Sequence, residues 1–449
     1  MDRSKIGEWS WGYNAFRMYV SRAFRKYYRH YVITGKENVP LNEPVLFTVN
    51  HQNALMDALA ILLNIKRQPV FLARQDIFKG KRVINLLTFM KILPVYRIRD
   101  GASSLKKNEK IFSLLSQILK NNGAGGIMPE GNHGHQRKLR VFGKGAFRIG
   151  FQAQQTIGPE RSVLFIPVGL DFKHYQNFRT DLLINFGKPI RILDYMPAYD
   201  EDPVDATNRL RDDLRKGMSE VMVDIQSKNF YDAIQDSREI LITKKVSSGE
   251  LKKHDLAAHF REEKKMVQVL ENAEETDPDF MAEYAGKIKV FKKLVKDCRL
   301  RTWLFQRNSY SFAKILLQIT GLIIALPVFL FGWVHNIIPY SIPVFYTKKV
   351  KDAQFHSSFK FVLAILLFPV FYLIIFALSF IFLPAWWLSF LYLILMPVCG
   401  HLAFKYYIAA KKIFAKIRYN FQVKNENSLV QQAKKLNEEI LQMLANKGI

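Results

Sequence analysis

The fold is decided by the segment VLFTVNHQNALMDALAILL, which occupies Val45–Leu63. Its first five residues are apolar or β-branched and predict a buried strand, while Ala54–Leu63 carries the dense apolar spacing of a helix. A short polar interval separates the two elements. Because a strand followed by a helix is the repeating unit of α/β domains, the segment predicts that fold class.

The same alternation extends outward from Tyr31 to Pro197. Six short runs predict strands, at Val45–Val49, Pro69–Ala73, Ile92–Tyr96, Gly126–Met128, Val163–Val168 and Leu182–Phe186. Helical periods fall at Ala54–Leu63, Lys107–Lys120 and Gly145–Gln155. We therefore predict an α/β domain over residues 31–200, with a sheet flanked by helices.

Beyond this domain the strand signals stop. Charge-rich helical periods predict a helical region over residues 201–310, with Glu271–Asp279 as a loop between helices. Apolar residues recur on one helical face of Asn427–Asn446 and predict an amphipathic helix. It belongs to a tail, residues 405–449, that we expect on the cytoplasmic side.

Two long uncharged runs predict a membrane region at the C-terminal end. The 44 residues between Lys360 and Lys405 lack Asp, Glu, Lys and Arg, and a membrane-spanning helix needs about 20 apolar residues. Since Pro384 supplies a turn between two passes, residues 361–404 predict a transmembrane helical hairpin. The run Ile315–Thr347 is too long for one pass, too short for two, and interrupted by prolines. Residues 311–347 therefore predict a re-entrant or transmembrane segment.

The charge and cysteine content limit the partners and the compartment. Lys and Arg number 66 against 39 Asp and Glu, a net charge of +27 that favours anionic partners. A nucleic-acid-binding protein would explain the charge but not the uncharged runs, so we expect membrane phospholipids and no nucleic acid. Only two cysteines occur, Cys298 and Cys399, which excludes a disulfide framework.

Residues 1–30 predict an amphipathic helix. Apolar and aromatic residues recur there at helical spacing with basic residues between them: Trp9, Tyr13, Phe16, Val20, Phe24 and Tyr27. Such a helix lies on an acidic membrane surface or packs on the domain, and the sequence leaves both open. Because Met1–Gly7 lacks the features of a signal peptide, we expect the N-terminus to be retained in the cytosol.

The first candidate for chemistry follows the strand Val45–Val49. His51 falls in the loop, and Asp57 falls in the first turns of the next helix, for which Asn53 is the predicted N-cap. A carboxylate that faces an imidazole fixes its tautomer and stabilises the imidazolium when the histidine accepts a proton. The alternative is a surface histidine beside an aspartate that the helix dipole stabilises.

Two further polar motifs follow predicted strands. Glu130-Gly131 forms a turn, and four cations come after it: Arg137, Lys138, Arg140 and Lys144. Arg97 follows the strand Ile92–Tyr96. Because ligands gather at the carboxyl ends of strands, these groups are candidates for a phosphate site. The alternative is a solvated basic loop.

These motifs, taken in order, resemble the glycerolipid acyltransferases. The four blocks of that superfamily correspond to Asn50-His51 with Asp57, Pro94–Arg97, Pro129-Glu130-Gly131 and Ile166-Pro167-Val168, within residues 30 to 200. Five residues separate His51 from Asp57, whereas the family usually has four, and Glu-Gly-Asn-His replaces the common Glu-Gly-Thr-Arg. Both departures, with Lys144-x-x-x-Arg148, resemble the fungal endoplasmic-reticulum branch that acylates glycerol-3-phosphate and dihydroxyacetone phosphate.

The resemblance implies a mixed central sheet and a membrane-bound O-acyltransferase of phospholipid biosynthesis. His51 would be the general base and Asp57 its partner. Arg97 would bind the acceptor phosphate, either Arg137 or Arg140 would replace the usual third-block arginine, and Glu130-Gly131 would shape the pocket. The acceptor would be glycerol-3-phosphate, 1-acylglycerol-3-phosphate or another lysophospholipid.

The resemblance also implies an acyl thioester donor, acyl-CoA or acyl carrier protein, with no cofactor and no metal. The catalytic domain would lie on the cytoplasmic face of an integral membrane protein. A zinc site formed by Glu130, His133 and His135 is one alternative, although structural zinc sites need four ligands. An inactive membrane scaffold with the same fold is the other.

Overall fold

The computed structural model describes residues 5–96 and 102–449, and the chain divides into two compact units. Unit 1 comprises Met1–Asp224 together with the short segment Asp352–Ser358. Unit 2 comprises Ile225–Lys351 and Phe359–Ile449. The α/β domain therefore contains seven residues that lie far beyond it in the sequence.

Unit 1 is built on one eight-stranded sheet. Its strands are β1 (Tyr31–Thr34), β2 (Val45–Val49), β3 (Val70–Arg74), β4 (Ile92–Val95), β5 (Ala124–Ile127), β6 (Leu164–Phe172), β7 (Leu182–Phe186) and β8 (Ile190–Arg191). Their order is β1-β7-β6-β2-β5-β3-β4, and β8 pairs with the start of β6. The β6–β7 and β6–β8 pairs are antiparallel and the others are parallel, which confirms the mixed sheet.

Seven helices of unit 1 accompany this sheet. They are α1 (Trp11–Tyr27), α2 (Leu55–Leu62), α3 (Lys81–Phe89), α4 (Ala102–Lys120), α5 (Lys144–Ile157), α6 (Met196–Glu201) and α7 (Pro203–Val221). Apolar side chains of α4, α5 and α7 form one core with Leu46 of β2. Gly126 of β5 allows a close approach, because a Cβ there would lie 2.4 Å from the Phe71 ring.

The sheet differs from the sequence prediction mainly at its edges. All six predicted strands are present, whereas the edge strand Tyr31–Thr34 and the two-residue strand Ile190–Arg191 were not predicted. Both are short, so they carry little alternation for a pattern to detect. α1 packs on the domain with Tyr13, Val20, Phe24 and Tyr27 buried, while Trp11 and Phe16 stay exposed.

Unit 2 is helical. Its helices are α8 (Tyr231–Ser248), α9 (Leu256–Thr276), α10 (Pro278–Asp297), α11 (Phe312–Thr347), α12 (His356–Phe382, of which Phe359–Phe382 belongs to this unit), α13 (Trp386–Lys424) and α14 (Ser428–Asn446). The predicted break between helices within Glu271–Asp279 is present, but because α9 continues to Thr276 it is a single residue, Asp277. That residue caps α10 by accepting a hydrogen bond from the Phe280 N–H at 3.2 Å, and Pro278 suits the first helical position.

Three helices are long and apolar enough to cross a membrane: Phe312–Thr347, Ala353–Phe382 and Trp386–Lys424. The last two are separated near Pro384, where the predicted hairpin turns. α11 is one continuous helix that includes Pro327, Pro339 and Pro343, so it does not contain the reversal that a re-entrant loop requires. α11 packs along α13, where the Asn336 side chain donates to the Met396 carbonyl at 3.1 Å.

Candidate active site

The His51–Asp57 pair lies in the turn between β2 and α2. His51 Nδ1 is 2.9 Å from Asp57 Oδ2, and the same oxygen accepts the backbone N–H groups of Gln52 at 2.9 Å and Asn53 at 2.7 Å. Asp57 is completely buried. Three donors therefore hold Oδ2 in place of water, whereas Oδ1 is buried without a hydrogen-bond partner among the described residues.

Asn50 anchors the start of this turn. Its side chain donates to the Leu170 carbonyl at 3.1 Å and accepts from the Leu170 N–H at 2.8 Å. These two hydrogen bonds resemble the backbone pair that a further residue of β2 would make with β6. The backbone that carries His51 is thereby tied to the centre of the sheet. This contact explains why an asparagine precedes the histidine.

The prediction that Asn53 caps α2 is wrong. The N-cap is Ala54, whose φ of 47° lies in the region that favours glycine, and no side chain of its own accepts a hydrogen bond there. The N–H of Asn53 instead binds Asp57. The additional residue between His51 and Asp57 is accommodated by this turn, so the longer spacing still brings the two side chains together.

His133 lies beside His51, with ring centroids 5.4 Å apart. Burial is the main cause that lowers the pKa of His133 to about 4, and the positive charges of His51, Arg74 and Arg140 lower it further, against Asp352. His133 is therefore a neutral imidazole at neutral pH. The sequence analysis used His133 as part of the third block and as an alternative zinc ligand, and no spacing rule pointed to its contact with His51.

Glu130 approaches the pair from the turn after β5. It accepts the His51 backbone N–H at 3.4 Å and pairs with Arg140 at 2.7 Å. Burial raises the pKa of the Glu130 carboxyl above its ordinary value, and the Arg140 guanidinium opposes that rise. Gly131 has a φ of 68°, which glycine adopts without strain, so the Glu130-Gly131 turn is built as the motif requires.

Arg137 makes structural contacts within unit 1. It is buried, pairs with Asp171 at 3.1 Å, donates to the Phe172 carbonyl and lies over the Tyr175 ring at 4.9 Å. Because its guanidinium is occupied at the end of β6, the geometry does not support the predicted phosphate contact. Of the two alternatives for the third-block arginine, Arg140 is the one placed beside Glu130 and His133.

The other predicted cations are distributed differently. Lys144 is exposed at the first position of α5, and Lys138 is half-buried in the preceding loop. Arg97 lies outside the described residues. Within residues 5–96 and 102–449 no three His, Cys, Asp or Glu side chains are grouped to hold a metal ion, so Glu130, His133 and His135 do not form the zinc set.

A polar cavity of about 450 Å³ opens beside His133. It is lined by Arg74, Asp76, Asn132, His133, His135, Asp352 and Gln354. Sequence reasoning missed Arg74, the last residue of β3, although the rule that pointed to Arg97, a cation at the carboxyl end of a strand, applies equally to it. The Arg74 guanidinium therefore lies in the same cavity as His133, whose ring is next to that of His51.

Comparisons with known proteins concern the same region. A family model described as Acyltransferase matches residues 30–170. A 1-acyl-sn-glycerol-3-phosphate acyltransferase of Borreliella burgdorferi is 24% identical over 199 residues, which cover 43% of this chain and 73% of that protein. Glycerol-3-phosphate O-acyltransferase 1 of Saccharomyces cerevisiae is 26% identical over 136 residues, 30% of this chain and 18% of that protein.

One solved structure is also similar. It is the 1-acyl-sn-glycerophosphate acyltransferase PlsC from Thermotoga maritima, with 18% sequence identity and a TM-score of 0.33. The similarity covers 46% of this chain and 79% of that one.

Proposed function

We propose that this chain, whose residues 30–170 form a domain of the acyltransferase family, moves a fatty acyl group from a thioester to a hydroxyl of glycerol-3-phosphate or 1-acylglycerol-3-phosphate. The observation that carries the proposal is the His51–Asp57 pair, 2.9 Å apart with the carboxylate fully buried. The names of the bacterial and yeast relatives support the two acceptors. The product would enter phospholipid biosynthesis.

The geometry assigns the proton transfers. Because Asp57 Oδ2 accepts from His51 Nδ1–H, the other ring nitrogen, Nε2, is the proton acceptor. Nε2 removes the proton of the acceptor hydroxyl, and the oxygen attacks the thioester carbonyl. The tetrahedral intermediate collapses with loss of the thiolate, which receives the proton from Nε2. An ester C–O bond replaces the C–S bond, and no covalent acyl-enzyme is needed.

The neighbours of the pair assist this transfer. Neutral His133 places no second positive charge beside the imidazolium that forms on His51. Asp57 supplies the compensating negative charge. Glu130 holds the His51 backbone and is itself held by Arg140, so the turn after β5 positions the base through its main chain.

The acceptor phosphate would bind among cations near this pair. Arg74 lines the cavity beside His133, and Arg140 lies against the same turn. Arg97, Lys138 and Lys144 remain sequence predictions for this site. Arg74 is our addition to the set. Its Nε and Nη2 donate to the Asp76 carboxylate at 3.1 and 2.6 Å, so its Nη1 is the nitrogen that would donate to a phosphate in the cavity.

The donor and the membrane orientation complete the proposal. Acyl-CoA and acyl carrier protein both present the required thioester, and no other cofactor enters the mechanism. The apolar helices α11 to α13 keep the enzyme at the membrane where lipid acceptors reside. The cations that flank these helices favour a catalytic domain on the cytoplasmic face.

The test is lipid mass analysis of the purified full-length protein in mixed micelles. Palmitoyl-CoA is supplied with glycerol-3-phosphate, 1-acylglycerol-3-phosphate or 1-acylglycerophosphocholine in separate reactions, and free thiol is followed in parallel. We expect a new acyl ester with one of the first two acceptors and none with His51→Ala. Product with the choline lipid alone would support another lysolipid, and no product from any acceptor or thioester would support the inactive scaffold.

A further inference from the structure

A short segment from between two apolar helices is built into the α/β domain. The connector, which we define as Asp352–Ser358, joins α11 to α12 in sequence but belongs to unit 1. Three of its residues are buried, namely Gln354, Ser357 and Ser358 at 6%, 1% and 6% exposure. Seven residues thus return to a domain that the chain left more than a hundred positions earlier.

The first contact of the connector is made with the helix that carries Asp57. Ser358 Oγ accepts the backbone N–H of Leu55, the first residue of α2, at 3.2 Å. The N-cap of that helix is Ala54, which has no oxygen for the purpose. A serine three hundred residues away in sequence therefore satisfies a donor that a local cap residue normally satisfies.

The second contact is made with the histidines. The Phe355 ring meets His133 edge to face with centroids 5.1 Å apart, and His133 meets His51 at 5.4 Å. Gln354 Nε2 lies 3.2 Å from His135 Nδ1, and Asp352 Oδ2 lies 3.6 Å from His133 Nε2. The rings form a row from the connector to the proposed base.

The third contact is made with the loop after β6. Ser357 Oγ donates to the Tyr175 carbonyl and accepts from the Tyr27 hydroxyl at 3.4 Å. The Tyr175 hydroxyl in turn donates to Gln52, the residue that follows His51. The connector therefore touches both sides of the turn that holds the catalytic pair.

From these contacts we propose that the connector is a positioning element of the acyltransferase site. Ser358 holds the first turn of α2, and Phe355 supports His133 against His51, so that Asp57 and the imidazole keep their alignment. The inference rests on the proposed function, because it concerns the geometry of the same base. It assigns a positioning role to the link between two long apolar helices.

The test compares two variants of one residue with a matched control. Ser358→Ala removes the oxygen, Ser358→Thr keeps it, and Ser341→Ala makes the same change at an exposed position of α11. We expect Ser358→Ala to lower kcat about tenfold with the acyl-CoA KM changed less than about twofold, since a small misplacement of the base affects the transition state. Ser358→Thr should restore most of kcat, and Ser341→Ala should equal wild type.

A second pair addresses the ring contact. Phe355→Leu keeps apolar volume but loses the edge-to-face contact, and Phe382→Leu is the control at an exposed position of α12. We expect a lower kcat and an altered pH profile of kcat for Phe355→Leu alone. Thermal unfolding of each variant in detergent separates loss of fold from loss of alignment.

The outcomes distinguish the two proposals. If wild type transfers no acyl group to any acceptor, the proposed function fails. If wild type is active while Ser358→Ala and Phe355→Leu match their controls in kcat, the function stands and the positioning role is overturned. Equal loss in Ser358→Ala and Ser358→Thr also overturns it, because the oxygen would then be irrelevant.

Discussion

At the scale of single residues, the site contrasts two buried carboxylates. Asp57 accepts three hydrogen bonds on one oxygen and is fully enclosed, so it serves as a fixed partner for His51. Glu130 accepts one backbone N–H from His51 and pairs with Arg140, and burial raises its pKa. The different surroundings suit Asp57 to charge compensation and Glu130 to holding the turn.

The His51–Asp57 pair yields the first prediction. His51→Ala should abolish transfer and Asp57→Asn should reduce kcat by about 10³-fold or more, because the amide keeps the shape but does not compensate the imidazolium. The fold should survive both changes. Initial rates of free-thiol release check this, with circular dichroism as the control. Near-normal turnover by folded His51→Ala would refute the mechanism.

Arg137 and Lys144 provide a matched pair for stability. Arg137→Ala removes the ion pair with Asp171 and the contact with the Tyr175 ring, so we expect a loss of about 2–3 kcal/mol and a clearly lower Tm. Lys144→Ala changes an exposed side chain and should cost less than about 0.5 kcal/mol. Thermal unfolding in detergent measures both. A large acceptor KM effect in a fully stable Arg137→Ala protein would return this arginine to the substrate site.

The pH dependence of stability follows from His133. Its pKa is lowered from 6.5 to about 4 in the fold, so between these values the unfolded chain binds a proton that the folded chain does not. Stability must therefore fall as the pH is lowered through this window, and the contribution is fully present above it. We expect Tm to fall less between pH 7 and pH 4.5 in His133→Gln than in wild type. If Tm fell equally with pH in His133→Gln and wild type, the pKa of His133 would not be lowered in the fold.

At the scale of elements, the decisive feature is the turn from β2 into α2. β2 is buried along its whole length between two parallel neighbours, and Asn50 continues its pairing with β6 by side-chain bonds. The turn then passes through Ala54 at a positive φ, and α2 begins without a cap of its own. The pairing of Asn50 with β6 fixes the position of the turn that carries His51 and Asp57, and the positive φ of Ala54 strains its backbone.

Substitutions of Ala54 measure the backbone strain at its positive φ. A non-glycine residue at its φ of 47° costs about 1 kcal/mol, so Ala54→Gly should leave activity intact and stabilise unit 1 by up to about that amount. Ala54→Val should destabilise, because a β-branched side chain tolerates positive φ poorly. Unfolding midpoints of the two variants provide the measurement. If glycine destabilises as much as valine, the backbone conformation assigned to Ala54 is incorrect.

At the scale of the whole chain, the path of the backbone constrains the membrane topology. Basic residues precede α11, among them Arg301 and Arg307, and they predict a cytoplasmic start for this helix. The end of α11 leads at once into the connector, which is part of unit 1. Basic residues on both flanks of α11 predict that its two ends lie on the same side. One continuous apolar helix of this length instead predicts a span with its ends on opposite sides.

Cysteine accessibility checks this topology. Single reporters near Lys349 and Lys412, on a background that lacks Cys298 and Cys399, should react with an impermeant reagent from the side of the catalytic domain. That result would mean that α11 lies along the membrane surface as an unbroken helix, while Phe361–Phe404 crosses twice. A Lys349 reporter that reacts only from the opposite side would restore an ordinary span for α11 and contradict the path through the connector.

The sequence alone determined the features that depend on local order. β2 and β7 begin and end where the sequence predicts, and the ordered polar motifs at strand ends identified His51, Asp57 and Glu130. Periodicity and turn chemistry involve neighbours within a few residues, so a single chain displays them.

The tertiary structure decided the rest: the role of Arg137, the neutral His133 beside His51, Arg74 in the cavity, and the connector on α2. Those contacts join residues from about thirty to three hundred positions apart, and such pairings leave no periodic trace in one sequence because they arise only when the sheet and the membrane helices bring their ends together.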